Sequence, residues 1–284
     1  MHAHAERNEA PRVVIVGGFL TSPLLYRPFR GRLLARGATD VRICSLWTPE
    51  WLLAATGVGF GPLMRRAGTT IARAYREGDG QALLVVGHSA GGILARLAMS
   101  PQPFEGRLAA VGPAVGALVT LGTPHHLAES GRRVLRVGWR AQRFLEAGVR
   151  DGSGDPPVGY LTVSSDAVRG GGLGDRDVRQ LVAGWSYRIQ AGDKARRGVG
   201  DGLVPEAITH LDGARHICLP DARHGPMWGE AWYGEDAALD TWWPVALEVW
   251  RASLAARGDR SGPPKASSRA GLTAPRGSLA RPVG

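Results

Sequence analysis

The sequence has no apolar run approaching the roughly 20 residues that a membrane-crossing helix requires. Its most apolar stretches, such as Val13 to Val16 and Leu83 to Val86, are far shorter. The opening residues, MHAHAERNEAPR, carry charges and lack the apolar core of a signal peptide, so a cytoplasmic location is expected. Cysteine is scarce. Cys44 and Cys218, the two present, lie in separate strand-like runs (VRICSL and RHICLP) expected near opposite sides of a sheet, so no disulfide between them is expected. No internal repeat occurs.

At 284 residues and 44% apolar composition, the chain can bury one large core, expected over residues 12–256 as a single domain. The formal charge of +10 is unevenly spread: from Arg257 onward there are six Lys/Arg against one acid, Asp259. That tail, residues 257–284, is rich in Gly, Pro, Ser and Arg. It has too few apolar side chains to offset its ordering entropy, so it is expected to be disordered and solvated, like the flexible N-terminus 1–11. No nucleic-acid partner is expected from it.

Apolar runs alternate with helical patterns. Arg12 to Val16 reads as a buried strand entering a turn at Gly17-Gly18. A helix follows, with Ser22 as its N-cap, Pro23 at its first position, and Leu25, Phe29, Leu33 and Leu34 at helical spacing up to Gly37. Val41 to Leu46 is the next strand, Pro62 to Arg76 an amphipathic helix, and Ala82 to Val86 a fully apolar strand suited to a central parallel position. Strands at Gly116 to Leu121, Tyr160 to Ser164 and His216 to Leu219 follow, then a helix from about Ala237 to Ala256. This alternation predicts the α/β class, with a mostly parallel central sheet, helices on both faces, and functional groups beyond the C-terminal strand ends.

Between the strand ending at Val86 and the helix ILARLAMS lies Gly87-His88-Ser89-Ala90-Gly91, a G-x-S-x-G in the context of a nucleophile elbow. Glycines at 87 and 91 make room for a sharp turn that projects the Ser89 hydroxyl above the sheet. A serine that merely caps a helix is the plainer reading, and the strand before it and the helix after it disfavour that reading. An oxyanion would need two donors. One is the N–H of Ala90, and the other comes from Gly17-Gly18-Phe19-Leu20, where Phe19 is preferred and Leu20 is next.

Of eight histidines, His224 alone stands in a loop past the last strand, the place of the base in the chain order Ser, Asp, His. His88 is the variable elbow position, and His125 with His126 is expected at a pocket rim. His2 and His4 have metal-ligand spacing but lie in a frayed terminus, so no metal site is expected. Two aspartates compete for the acid. Asp166 directly follows a strand. Asp201 sits in GDGLVP, whose glycines permit a loop that aims a carboxylate at the imidazole; it is preferred, and Asp166 stays open.

The stretch GDGLVPEAITHLDGARHICL, followed by HGP and by Trp232-Tyr233-Gly234, resembles the lipase-like α/β-hydrolases of cyanobacteria, actinobacteria and plant plastids, and more distantly the GPI-inositol-deacylase-like group. The resemblance runs from Val13 to about Trp250. It implies an α/β-hydrolase fold with a small cap insertion at about 125–158, and it supports Ser89, Asp201 and His224 as a triad. Two positions depart from it: Gly225 replaces the usual Ser after the base, and Gly17 stands where many lipases have His. Within the insertion, Arg132, Arg133, Arg136, Arg140 and Arg143 alternate with Val134, Val137, Trp139 and Phe144. The pattern is compatible with peripheral contact to an anionic membrane and equally with a solvated outer face.

These residues together predict a serine hydrolase of carboxylic esters, esterase- or lipase-like, acting on a small-molecule or lipid acyl ester without cofactor or metal. Thioester or amide hydrolysis would use the same triad. A non-catalytic binding protein on the same scaffold is the alternative from another class.

Overall fold

The computed structural model describes residues 10–148, 157–172, 174–225 and 231–260. The expectations for residues 1–9, for the middle of the insertion at 149–156, for Pro226 and for the tail beyond Arg260 lie outside them.

Six strands, β1 (Arg12–Val16), β2 (Asp40–Ile43), β3 (Leu83–His88), β4 (Val115–Leu121), β5 (Gly159–Ser165) and β8 (Arg215–Leu219), form one parallel sheet in the order β2-β1-β3-β4-β5-β8. A two-stranded antiparallel ribbon, β6 (Val168–Arg169) with β7 (Val199–Gly200), stands apart from it. The two β-branched runs at the centre, β3 and β4, are buried along their whole length, as a strand covered on both faces must be. Pairing of Val16 with Gly87 and of His88 with Leu121 brings the ends of β1, β3 and β4 to one edge. The strand order reverses between β1 and β3, which opens a crevice at that edge just where Ser89 leaves β3.

Helices cover both faces. On one, α1 (Arg27–Ala35) and α7 (Asp236–Arg260) bury Phe29, Leu33, Trp242 and Trp250 against Val13, Ile15, Leu84 and Val119. On the other, α2 (Thr48–Leu53), α3 (Gly61–Arg76), α4 (Ala90–Met99) and α5 (Arg136–Gly148) pack Trp51, Met64, Ile71 and Leu94 on Val14, Leu83 and Val85. The alternating residues of each strand thus feed two separate cores.

The structure departs from expectation in four places. Ser22 makes no side-chain cap; a 3-10 turn at Pro23–Tyr26 comes first, and Pro28 then fixes the start of α1. The second strand ends at Ile43. The C-terminal helix continues to Arg260, with the Arg257 guanidinium bonded to the carbonyls of Pro157, Pro113 and Val115. Finally, α2 and α6 (Val178–Ala191) are not expected from the apolar pattern. In α6 the apolar Val178, Val182 and Trp185 face solvent while Ala183 and Tyr187 are buried, so no inward apolar stripe marks it. Asp177 caps its start by accepting from the N–H of Arg179.

Candidate active site

The turn between β3 and α4 carries Ser89 at φ 53° and ψ −130°, a region that costs a non-glycine residue on the order of 1–3 kcal/mol. Close packing holds it there. A Cβ on Gly91 would lie 2.1 Å from the Val16 carbonyl oxygen, and one on Gly87 would lie 2.4 Å from Gly92 Cα. Glycine at both positions is therefore a requirement of backbone contact. The strained backbone is tied down by the Ser89 N–H on the Leu121 carbonyl (2.8 Å) and by the Thr123 hydroxyl on the Ser89 carbonyl (2.9 Å).

Three loops beyond strand ends converge on this serine. His224, five residues past β8, places Nε2 at 2.9 Å from Ser89 Oγ. Its Nδ1 is 2.7 Å from Asp201 Oδ2, so the Nδ1–H donates to the carboxylate and Nε2 is left to accept from the hydroxyl. Asp201 is buried. Its Oδ1 accepts the N–H groups of Leu203 (2.9 Å) and Val204 (2.7 Å), and Oδ2 also accepts the Tyr233 hydroxyl (2.9 Å). Burial would raise this carboxyl, but the neighbouring imidazole and the two N–H donors outweigh it and hold the group below the usual carboxylate range. Burial, together with the Asp201 carboxylate that it faces, pushes the Tyr233 hydroxyl well above the usual phenol value.

The loop after β1 lies directly against the serine. A Cβ on Gly18 would sit 2.8 Å from Ser89 Cβ, so only glycine allows the approach. The Gly18 N–H is already used, donating to the Tyr26 hydroxyl at 2.9 Å. Phe19 and Leu20, each 43% exposed, form the tip of the turn closed by the Thr21 N–H on the Gly18 carbonyl, with Leu20 at φ 59°. The Ala90 N–H, at the first turn of α4, belongs to the group that a helix leaves without an intrahelical partner.

The other expected residues fall as follows. Asp166 is exposed, and among the described residues the carboxylate meeting His224 is that of Asp201. His125 does not line a rim: it is buried, with Nε2 near Thr120 Oγ1 and Nδ1 near Arg96, and burial holds its imidazole neutral, far below the usual value. His126 is exposed. A Cβ at Gly225 would meet only the His88 ring, at 4.0 Å, so glycine there is no steric necessity.

His88 has a place that its sequence position did not suggest. It is buried, with Nδ1 2.8 Å from the Tyr26 hydroxyl and Nε2 2.6 Å from the His224 carbonyl oxygen. Since Nε2 must donate to that carbonyl, Nδ1 accepts from Tyr26. Burial, reinforced by the nearby His224, lowers its pKa to about 3 and keeps it neutral. A surface cleft of about 450 Å³ lined by Tyr160, Arg215, Glu248 and Ser253 shares no residue with this constellation.

A parallel sheet with helices on both faces, a strained serine after its central strand, and an acid and histidine supplied by later loops define the α/β-hydrolase fold. Residues 63–173 match the family described as "PGAP1-like alpha/beta domain", a span that includes Ser89 and ends before Asp201 and His224. The chain is similar to the mature form of the Bacillus licheniformis lipase BlEst2, at 17% identity over 85% of this chain and 92% of that one, with a TM-score of 0.52. The propeptide form of the same lipase gives 18% identity over 86% of this chain and 50% of that one, with a TM-score of 0.51. Identities this low establish the shared fold alone. No curated protein matches the sequence.

Proposed function

We propose that this protein is a serine hydrolase that cleaves carboxylic esters through an acyl-enzyme intermediate, with Ser89 as nucleophile, His224 as general base and Asp201 as the acid that orients it. The observation that carries the reading is the unbroken chain Ser89 Oγ, His224 Nε2 and Nδ1, Asp201 Oδ2, with separations of 2.9 and 2.7 Å. His224 takes the hydroxyl proton as Ser89 Oγ bonds to the acyl carbon, and the N–H groups of Ala90 and Phe19 receive the oxyanion. The imidazolium then protonates the departing alkoxide. A water molecule, deprotonated by His224, attacks the acyl-enzyme and releases the acid and the free serine. These steps ask for no metal or organic cofactor. A thioester or amide would react through the same atoms.

An apolar acyl group is the substrate class that the surroundings favour. Phe19, Leu20, Leu24, Trp47, Leu52 and Leu53 are all exposed near the turn that follows β1. Their segments adjoin, since the Thr48 hydroxyl bonds the Leu20 and Thr21 carbonyls and the Phe19 ring meets Trp51 edge-on. Exposed apolar side chains gathered beside the loop that touches Ser89 support an acyl-binding surface. Membrane contact through α5 has less support. Arg132, Arg140 and Arg143 are paired with Glu129, Glu105 and Glu146, and Ala141 and Leu145 point into the core. No described helix is long and apolar enough to cross a membrane. Cytoplasmic residence remains part of the proposal, supported by two free cysteines, Cys44 beyond β2 and Cys218 in β8, at opposite sheet edges.

The test is covalent labelling by a fluorophosphonate together with a panel of acyl esters. Stoichiometric labelling is expected, absent in Ser89→Ala and steeply reduced in His224→Ala, because the three groups act as a unit. A folded protein that neither labels nor hydrolyses any ester of the panel overturns the reading.

A further inference from the structure

Away from the serine, two histidines and a glutamate from separate segments converge on the sheet edge. Glu206 opens the 3-10 turn Glu206–Ile208, His210 follows that turn, and His216 lies on β8. One ligand-type atom from each lies within 4.8 Å of the other two. Glu206 Oε1 is 3.5 Å from His216 Nε2 and 2.5 Å from His210 Nε2, and the two imidazoles stack at 3.5 Å.

We propose that Glu206, His210 and His216 form a binding site for a borderline divalent cation of the Zn²⁺ type, with a fourth position open to water. Three features of the site argue for it. Zn–N and Zn–O bonds of about 2.0–2.2 Å set tetrahedral ligand atoms about 3.3–3.5 Å apart, which is the Glu206–His216 separation. His216 is already oriented by its other nitrogen: Nδ1 is 2.7 Å from Thr162 Oγ1, whose own hydrogen points to the Arg215 carbonyl. In the Nδ1–H tautomer the ring donates to Thr162 and the Nε2 lone pair faces the carboxylate, the arrangement that fixes ligating imidazoles in metal sites. The Ser164 hydroxyl lies 3.1 Å from the same nitrogen.

The third feature is charge. In that tautomer the Glu206 carboxylate and Nε2 of His216 face each other as two acceptors, with His210 on one side of them, its Nε2 against the same carboxylate oxygen. A cation takes that place when His210, whose side chain is 47% exposed, turns off the stack with its ring proton moved through solvent to Nδ1 and directs an unprotonated Nε2 inward. Two imidazoles and one carboxylate suit zinc, nickel or cobalt better than calcium or magnesium, which prefer all-oxygen sets.

The location gives the ion a consequence. Glu206 stands directly after Pro205 in the loop that carries Asp201, and β8 leads into the loop that carries His224. A cation joining Glu206 to His216 cross-links these two loops. It should stabilise the folded chain whatever reaction the serine performs.

The experiment is calorimetric titration of the full chain, stripped of metal by a chelator, with Zn²⁺. His2→Ala and His4→Ala in the background remove the N-terminal histidines as competing ligands. One site per chain with a micromolar dissociation constant is expected, accompanied by a rise of several degrees in melting temperature. His210→Ala, Glu206→Gln and His216→Ala should each weaken binding at least tenfold and abolish the rise. His210 is exposed, so its variant tests binding without a threat to folding. Absence of binding in the parent overturns the proposal, as does equal affinity in His210→Ala and Glu206→Gln. Binding that survives those two and disappears in His224→Asn places the ion on the imidazole beside Ser89 and overturns it as well. Every arm reads binding or stability, so the outcome is independent of ester hydrolysis.

Discussion

The Tyr26 hydroxyl and His88 Nδ1 meet at 2.8 Å in the interior, and with the His88–His224 contact this links the segment after β1 to the loop that carries His224. Gly18 N–H donates to Tyr26, Tyr26 donates to His88, and His88 Nε2–H donates to the His224 carbonyl, so one buried imidazole spaces two loops on either side of Ser89. His88 is a positioning residue in this arrangement, since it acts through Tyr26 and the backbone of His224. His88→Ala takes the acceptor from the Tyr26 hydroxyl proton and the donor from the buried His224 carbonyl, a lost partner being worth about 1–3 kcal/mol. It should lower kcat about tenfold or more with little change in KM. His88→Gln, which offers an acceptor and a donor at similar reach, should recover most of the loss. Equal kcat in parent and His88→Ala refutes the role.

The acid is tested by two amide substitutions. Asp201→Asn keeps the shape of the loop but cannot hold the Nδ1–H tautomer of His224, and it should lower turnover by about 10⁴, the magnitude known for serine proteases. Asp166→Asn, at an exposed position, should change turnover less than twofold. A reversed order of the two effects in steady-state assays contradicts the assignment of Asp201.

Stability should decline in acid over a defined window. His88 has a folded pKa of about 3, below the 6.5 of a free imidazole, so the unfolded chain binds the extra proton first. Its contribution is complete above pH 6.5 and is lost as pH falls toward 3, amounting to several kcal/mol. His125, also kept neutral by burial, adds a loss of the same sign. Asp201, held below the usual carboxylate range, adds a further loss only beneath 3.8. Denaturant unfolding at a series of pH values should show a shallower slope between pH 6.5 and 4 for His88→Gln. Parallel slopes would show that His88 does not titrate as described.

The exposed apolar rim predicts a chain-length effect. Leu52→Ser with Leu53→Ser removes two side chains that are more than half exposed, so folding should be little affected. The specificity constant for a long-chain acyl ester should fall about tenfold, from about 1.4 kcal/mol of lost apolar contact, while that for an acetyl ester stays within twofold. An equal fall for both esters would detach the rim from acyl binding.

Much of the fold was legible because its signals are local. The apolar runs at β3 and β4, the Gly-His-Ser-Ala-Gly turn and the GDGLVP loop each specify their conformation within a few residues. Helix α6 was not legible, because its apolar side chains point outward and its buried face consists of small and polar residues. The rim expectation for His125 failed for a related reason. A histidine after a strand can face either way, and the Thr120 and Arg96 partners that keep it inside come from β4 and α4.

By itself the sequence determined the strand, elbow and helix around Ser89, and the order in which serine, acid and histidine follow one another. These depend on glycine at 87 and 91 and on apolar periodicity, both of which act over short separations. Tertiary structure decided which aspartate meets His224, and it brought Tyr26, His88 and Tyr233 together around that pair. Those contacts join residues 23 to 136 positions apart. They exist only once strand order and register have set the loop ends side by side, which no local pattern specifies.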